Sequence, residues 1–292
     1  MTGEIAVGVP MFSRERALEQ FLESVPSYVS TAYVADNGRP ETRPLYDGSD
    51  RFAFDVEVLQ LDYDAGIGAC RQAIERAVTE PYLWLGDNDM AFTRRTDLRV
   101  LREILDSDPM LGGVAGWLLE DARVRSGARD IEVVGSTLVK QARDPEIDAE
   151  PYPHARFDYI PQAALFRSDV FETYRHDDAL REREHADFFL THRERGSWEF
   201  ASTPTVTVVH DTEIDAEYRR DDRGRHLDEA DKVIADKWGI ENISYGPTHD
   251  WAHYNDRSIP EAMFDVFRRA APASVWLPVR RALSTVVGGR NS

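Results

Sequence analysis

Lysine is nearly missing from this chain: of its 35 basic residues only Lys140, Lys232 and Lys237 are lysines, and 32 are arginines. Cysteine is equally scarce. The single Cys70 excludes an intrachain disulfide framework and fits a reducing compartment. No stretch reaches the roughly 18 apolar residues that cross a bilayer, and the opening MTGEIAVGVP lacks the basic start and apolar run of a signal peptide. These absences are read as those of a cytoplasmic protein. Positive charge is outweighed altogether, 53 acids against 35 bases, for a net charge of −18. So acidic a chain is a poor general binder of nucleic acid, whose phosphates demand a basic footprint, and that partner class is set aside. An acid-rich, lysine-poor surface suits a protein that folds in molar salt, where self-repulsion is screened; arginine-rich codon usage in a GC-rich genome is the blander account. What is present is ordinary: 292 residues, 42% of them apolar, enough for one large domain or two modest ones.

The patterning predicts strands alternating with helices. IAVGVPMF (5–12) reads as a strand ended by Pro10, and SRERALEQFLESVPSYV as a helix with Ser13 at its N-cap; Arg16 stands where a capping box wants Glu or Gln. Leu18, Phe21, Leu22 and Val25 share one face. TAYVADNG closes a second strand on Asp36, DVEVLQLD is a third, and GIGACRQAIERAVT is a helix with Ile67, Cys70, Ile74 and Ala77 inward. PYLWLGDND is the fourth strand. This alternation predicts a mostly parallel, doubly wound sheet, in which ligands bind beyond the carboxyl ends of the strands. Further on, LRVLREILDS is a helix, LGGVAGWLL a strand, RDIEVVGSTLVKQ a strand or hairpin, and 142–155 a polar, Pro-broken loop or flap. FDYIPQAALFRSDVFETY turns from strand to helix, EREHADFFLTHRERG is a helix stopped by Gly196, and WEFASTPTVTVVHD is a strand pair reaching His210.

In YLWLGDNDM, residues 82–90, two carboxylates stand two positions apart directly after an apolar run. In an extended chain such residues point the same way, so Asp87 and Asp89 can face one cation; a solvated turn or a helix N-terminus would also offset their repulsion. Oxygen ligation suits Mg²⁺ or Mn²⁺, which bridge carboxylates to substrate phosphates. In DYDAGIGACR, Gly66 opens a strand-to-helix turn where backbone N–H groups can meet an anion, with Arg71 adding positive charge; no Gly-Lys-Ser/Thr follows, so this is not a P-loop. Asp36 ends a strand where a carboxylate can accept from a base or ribose. His210 ends the β-branched run VTVVH, as a ligand or as a structural hydrogen-bonder.

The ordered blocks AVGVPMFSR, YVADNG, DAGIGACRQAIERA, WLGDND, IPQAALFRSDVFE, EREHADFFLTHRERG and VVHD resemble those of the family-two inverting glycosyltransferases with the GT-A fold, over about residues 4–211, in a form similar to haloarchaeal members of lipid-linked or protein glycosylation. The resemblance implies an α/β GT-A sheet, doubly wound and mixed, flanked by helices. It implies Pro10, Arg14 and Asp36 on the nucleotide, Asp87 and Asp89 on the diphosphate and on Mn²⁺ or Mg²⁺, with Asp89 ahead of Asp87 as the direct ligand, and His210 completing that site; Gly66 and Arg71, read from their turn, join the donor-binding set. The common base block is Glu-Asp-x-Asp-aromatic. Here Glu184-His185-Ala186-Asp187-Phe188 sets His185 where the usual base stands. Helical spacing puts Glu184 and Asp187 on one face with His185 pointing elsewhere, so Asp187 or Glu184 is expected as base ahead of His185. The donor implied is a nucleotide sugar, a UDP-sugar first.

The chain divides in this reading into a catalytic domain (1–212), a helical or loop extension packed on it (213–259) and a basic amphipathic tail (260–292). No acid follows Asp265, whereas Arg268, Arg269, Arg280, Arg281 and Arg290 do, so the last 27 residues carry +5. With Phe264, Phe267, Trp276, Leu277 and Leu283 between them, the tail reads either as a membrane-interface segment at the cytoplasmic face or as a strap onto the acidic domain. The first option suits a glycan or polyprenyl (dolichol) phosphate acceptor. Two other classes stay open: a nucleotidyltransferase making the sugar nucleotide, although its Gly-rich, Lys-bearing loop is missing after strand one, and a nucleotide-binding protein without turnover.

Overall fold

The computed structural model describes residues 3–38, 51–120, 123–141, 145–211, 220–245, 272–275 and 278. In chain order its elements are β1 (Ile5–Met11), α1 (Glu15–Ser24), β2 (Thr31–Asp36), β3 (Asp55–Gln60), α2 (Ile67–Ala77), β4 (Tyr82–Leu85), β5 (Met90–Ala91), α3 (Leu98–Ser107), β6 (Leu111–Glu120) and β7 (Arg123–Arg125). They continue as β8 (Asp130–Val134), β9 (Thr137–Gln141), β10 (Ile147–Asp148), β11 (His154–Phe157), β12 (Ala164–Arg167), α4 (Asp169–Thr173), α5 (Glu184–Arg195), β13 (Glu199–His210), α6 (Arg220–Trp238) and β14 (Asn242–Tyr245).

Among the described residues the main sheet has the order β10-β11-β13-β6-β12-β4-β1-β2-β3, with β5 on β13 and β7 on β6. The first four long strands are parallel, in the order β3-β2-β1-β4. β1, β2 and β4 are apolar and buried on both faces, as helices on both sides of a parallel sheet require. Leu18, Phe21 and Leu22 of α1 and Leu98, Leu101, Ile104 and Leu105 of α3 cover one face; Cys70 and Ile74 of α2, Phe188 and Phe189 of α5, and Ala230 and Ile234 of α6 cover the other. Trp84 is fully buried in the first layer, stacked on Phe21 at 5.8 Å and edge-on to Phe92 at 4.6 Å, which anchors the end of β4 just before Asp87.

The sheet is mixed. β12 runs antiparallel between β4 and β6, while β6 and β13 are parallel to each other. The carboxyl ends of β1, β2, β4, β6 and β13 therefore lie along one edge. Several local expectations change. The N-cap of α1 is Arg14, not Ser13, in the left-handed region at φ 71°. The expected strand pair over WEFASTPTVTVVHD is one strand, β13, whose register to β6 shifts between Ser202 and Thr207. The 142–155 stretch contributes β10 and the start of β11 to the sheet edge, 142–144 lying outside the described residues. β8 and β9 do form a hairpin, in a separate sheet completed by β14, a strand within the stretch expected to be helix and loop. Nearly all of the 260–292 tail lies outside the described residues; among the described residues no helix is long and apolar enough to cross a membrane.

Candidate active site

A cleft of about 700 Å³ opens at this carboxyl edge. β5, only two residues long, pairs antiparallel with the end of β13, setting Met90 opposite His210. That pairing brings Asp89 to His210: Nε2 stands 3.6 Å from Asp89 Oδ1, while Nδ1 contacts Glu120 Oε1 at 2.8 Å at the end of β6. Asp89 Oδ2 accepts from Arg14 Nη1 at 2.7 Å. The left-handed Arg14 starts α1 without a side-chain cap, and its guanidinium crosses to Asp89, with Asp211 at 3.4 Å. Between the two aspartates, Asn88 donates to the Ser13 carbonyl at 3.0 Å, tying the turn to the β1–α1 loop.

The second half of the cleft is built by α2. Gly66 takes φ 97°, and a Cβ there would stand 2.6 Å from Arg181 Cγ, so the turn is open to glycine alone. Arg71 is completely buried, donating to Asp87 Oδ1 at 2.8 Å with Glu184 at 3.6 Å, and its Nη1 meets His185 Nε2. One buried guanidinium thus joins the Asp-Asn-Asp turn to the start of α5. Pro10, Arg14, Gly66, Asp87, Asp89, Glu184, His185 and His210 all line the cleft. Asp36 does not: it is 1% exposed, accepts the Gly38 N–H at 2.8 Å, and leaves the cleft wall to Asn37.

The base block departs from helical bookkeeping. Glu184 and His185 face the cleft, but Asp187 does not; its buried carboxylate accepts from Trp238 Nε1 at 2.7 Å and Lys237 Nζ at 2.8 Å, on α6. Helical spacing put His185 away from Glu184, yet α5 begins at Glu184 with its N-terminus at the cleft, so its first residues line the wall whatever face they occupy. Residues that drew no notice in the sequence as site residues also line it: Lys140, Tyr159 and His226. Lys140 lies 4.0 Å over the Tyr159 ring. Its signal was its rarity.

Electrostatics set the two ends apart. Burial and then the Asp87 charge push the Asp89 carboxyl up to about 6, and the hydrogen bond that the imidazole donates to Glu120 raises His210. Burial, with Arg71 next, drives His185 well below the ordinary histidine range. Burial followed by Arg129 and Arg183 brings Lys140 down to about 7. Among the described residues no three His, Cys, Asp or Glu side chains are already gathered as a complete metal cluster. The residues nevertheless fit a hard divalent ion. Asp89 Oδ1 is buried without a hydrogen-bond partner, beside His210 and one residue from Asp87, and such ions leave coordination positions to water and phosphate oxygens.

No protein-family model and no curated protein matches the sequence. Solved structures share the fold. S. aureus TarS 1-349 aligns with a TM-score of 0.54 at 13% identity, covering 81% of this chain and 65% of that one; in complex with UDP the values are 0.53, 14%, 80% and 66%. The mannosyltransferase PcManGT from Pyrobaculum calidifontis, in complex with GDP-Man and Mn²⁺, aligns with 0.52 at 13% identity, covering 81% of this chain and 65% of that one. The chain spans just under two thirds of the length of these proteins. Its architecture is the GT-A-like fold, a large mixed sheet flanked by helices, as the ordered blocks implied.

Proposed function

We propose that the protein is an inverting glycosyltransferase that moves a sugar from a nucleotide-sugar donor to a lipid-linked glycan or polyprenyl phosphate at a membrane face. The observation that carries this reading is the meeting of Asp89, His210 and Arg14 with the Arg71–Asp87 pair at the carboxyl edge of a GT-A-like sheet. The UDP bound by TarS and the GDP-Man bound by PcManGT support a nucleotide-sugar donor, for which a UDP-sugar is the first choice. Pro10, Asn37 and the Asp36 turn back the nucleoside, while Gly66 and the start of α2 receive the diphosphate, with Arg14 and Arg71 as its nearest cations. Asp89 and His210, with Asp87, would hold Mn²⁺ or Mg²⁺, which when bound stabilises charge on the departing diphosphate. The acceptor attacks the anomeric carbon from the side of α5, opposite the leaving group, and the transition state is oxocarbenium-like. Glu184 and His185 stand on that side. The basic tail supports a membrane-interface role, and the acidic surface supports folding in strong salt.

Thermal shift in molar KCl, with a sugar-nucleotide panel and either Mn²⁺ or EDTA, tests the reading. A donor that stabilises the protein only with metal, and loses that effect in Asp89→Ala, is expected. No shift with any donor at saturation would remove the transferase reading.

A further inference from the structure

The parallel pairing of β6 with β13 runs in register through Trp117 and Thr207, Leu118 and Val208, and Leu119 and Val209, so the next row sets Glu120 beside His210 on one face of the sheet. At the opposite edge of β13, β5 pairs Met90 with His210 and leaves Asp89 at the imidazole. His210 thus stands between the Glu120 carboxylate of β6 and the Asp89 carboxylate of the Asp-Asn-Asp turn. The two contacts differ in kind. Nδ1 lies 2.8 Å from Glu120 Oε1, a hydrogen bond, whereas Nε2 lies 3.6 Å from Asp89 Oδ1, too far for one. Asp89 Oδ1 is buried with no hydrogen-bond partner.

Glu120 is itself held in place. The hairpin of β6 and β7 sets Leu118 opposite Arg125 and Glu120 opposite Arg123, which makes Arg125 the diagonal neighbour of Glu120 on the same face. Arg125 Nη1 reaches Glu120 Oε2 at 3.0 Å. Both oxygens are therefore used, one on the guanidinium and one on the imidazole. A carboxylate paired with arginine has no proton to give, so in the neutral ring Nδ1 carries the hydrogen and Nε2 the lone pair. A free imidazole can carry its proton on either nitrogen; here the strand register removes that choice. Nε2 and Asp89 Oδ1 are then two acceptor atoms facing each other, a pairing that a cation between them relieves.

We infer that Glu120 is a positioning residue of the cation site: it fixes the His210 tautomer, with Arg125 orienting its carboxylate, so that Nε2 is presented as a ready ligand. This rests on the metal-assisted transfer reading above and adds a residue that acts through His210 alone. A Glu120 that only fastened β6 to β13 would affect stability and leave both the tautomer and the cation affinity unchanged.

The full chain, ¹⁵N-labelled on histidine and free of metal in molar KCl, is read by long-range ¹H–¹⁵N correlation at about pH 9, with His210 assigned by the signal missing in His210→Asn. The expected pattern is a protonated Nδ1 and an unprotonated Nε2. Glu120→Leu should move the proton towards Nε2 and weaken Mn²⁺ binding by about 10–100-fold in calorimetry. Glu120→Gln, whose amide oxygen still accepts from Nδ1–H, should keep the wild-type tautomer and recover most of that loss. A wild-type His210 protonated on Nε2, Mn²⁺ affinity within about twofold of wild type in Glu120→Leu, or a Glu120→Gln that keeps the tautomer yet binds as weakly as Glu120→Leu overturns the inference and leaves the cation site standing. No Mn²⁺ uptake by the wild-type protein overturns both. Should Glu120→Leu fail to fold, the wild-type tautomer and the Glu120→Gln affinity still decide.

Discussion

In the proposed reading, Asp89 is the residue on which cation binding turns. Its carboxyl is held up to about 6 by burial and by Asp87, and His210 is raised as well, so in weak acid a bound metal would have to displace a proton from each. Mn²⁺ affinity should already weaken as pH falls towards 6, where His210 takes up its proton, and more steeply below 6, where Asp89 does so too, as calorimetry between pH 5 and 8 would record; constant affinity down to pH 5 would remove both from the ligand set. Lys140 makes the opposite kind of prediction. Its folded value is lowered from 10.5 to about 7, so its cost to stability is absent above pH 10.5, grows as pH falls towards 7, and is constant below. Lys140→Met should therefore stabilise the ligand-free protein at pH 7 by about 2–4 kcal/mol in urea denaturation. A lowered midpoint would mean that the lysine is structural. Sequence alone marked Asp87, Asp89, Gly66, Arg71 and His210, because spacing and strand ends expose such residues. It could not mark Glu120 or the Arg71–His185 contact, which depend on which strands and helices become neighbours.

Helix α6 shows how an element can claim a residue that looked catalytic. Arg183 donates to Asp231 at 2.9 Å, Lys237 reaches Asp177 and Asp187, and Trp238 donates to Asp187, so α6 is fastened along the start of α5. Asp187→Ala would leave the Trp238 N–H unpaired and Lys237 with Asp177 alone, and should cost about 3 kcal/mol, with faster amide exchange in α6. A residue acting as base would instead lose kcat with stability unchanged. The parallel strands β1–β4 were readable from their apolar runs and the helices between them. β5 was not, since two residues carry no periodicity. β12 read as a strand, but its antiparallel insertion between β4 and β6 is a property of the assembled sheet.

At the scale of the whole molecule the −18 charge dominates. Raising KCl from 0.1 to 2 M should screen that repulsion and raise the melting temperature, each kcal/mol relieved being worth roughly 2–4 °C; a flat or falling curve would assign the arginine bias to codon usage. The β5–β13 pairing has another consequence. His210 is synthesised 121 residues after Asp89, and Leu85 of β4 waits 79 residues for its partner Ala164 of β12. While the chain is still emerging from the ribosome, the Asp-Asn-Asp turn has no imidazole beside it and no edge to rest on. In the proposed reading, cation capture would be postponed until translation has passed β13, and a truncated or stalled chain would carry the aspartates without His210.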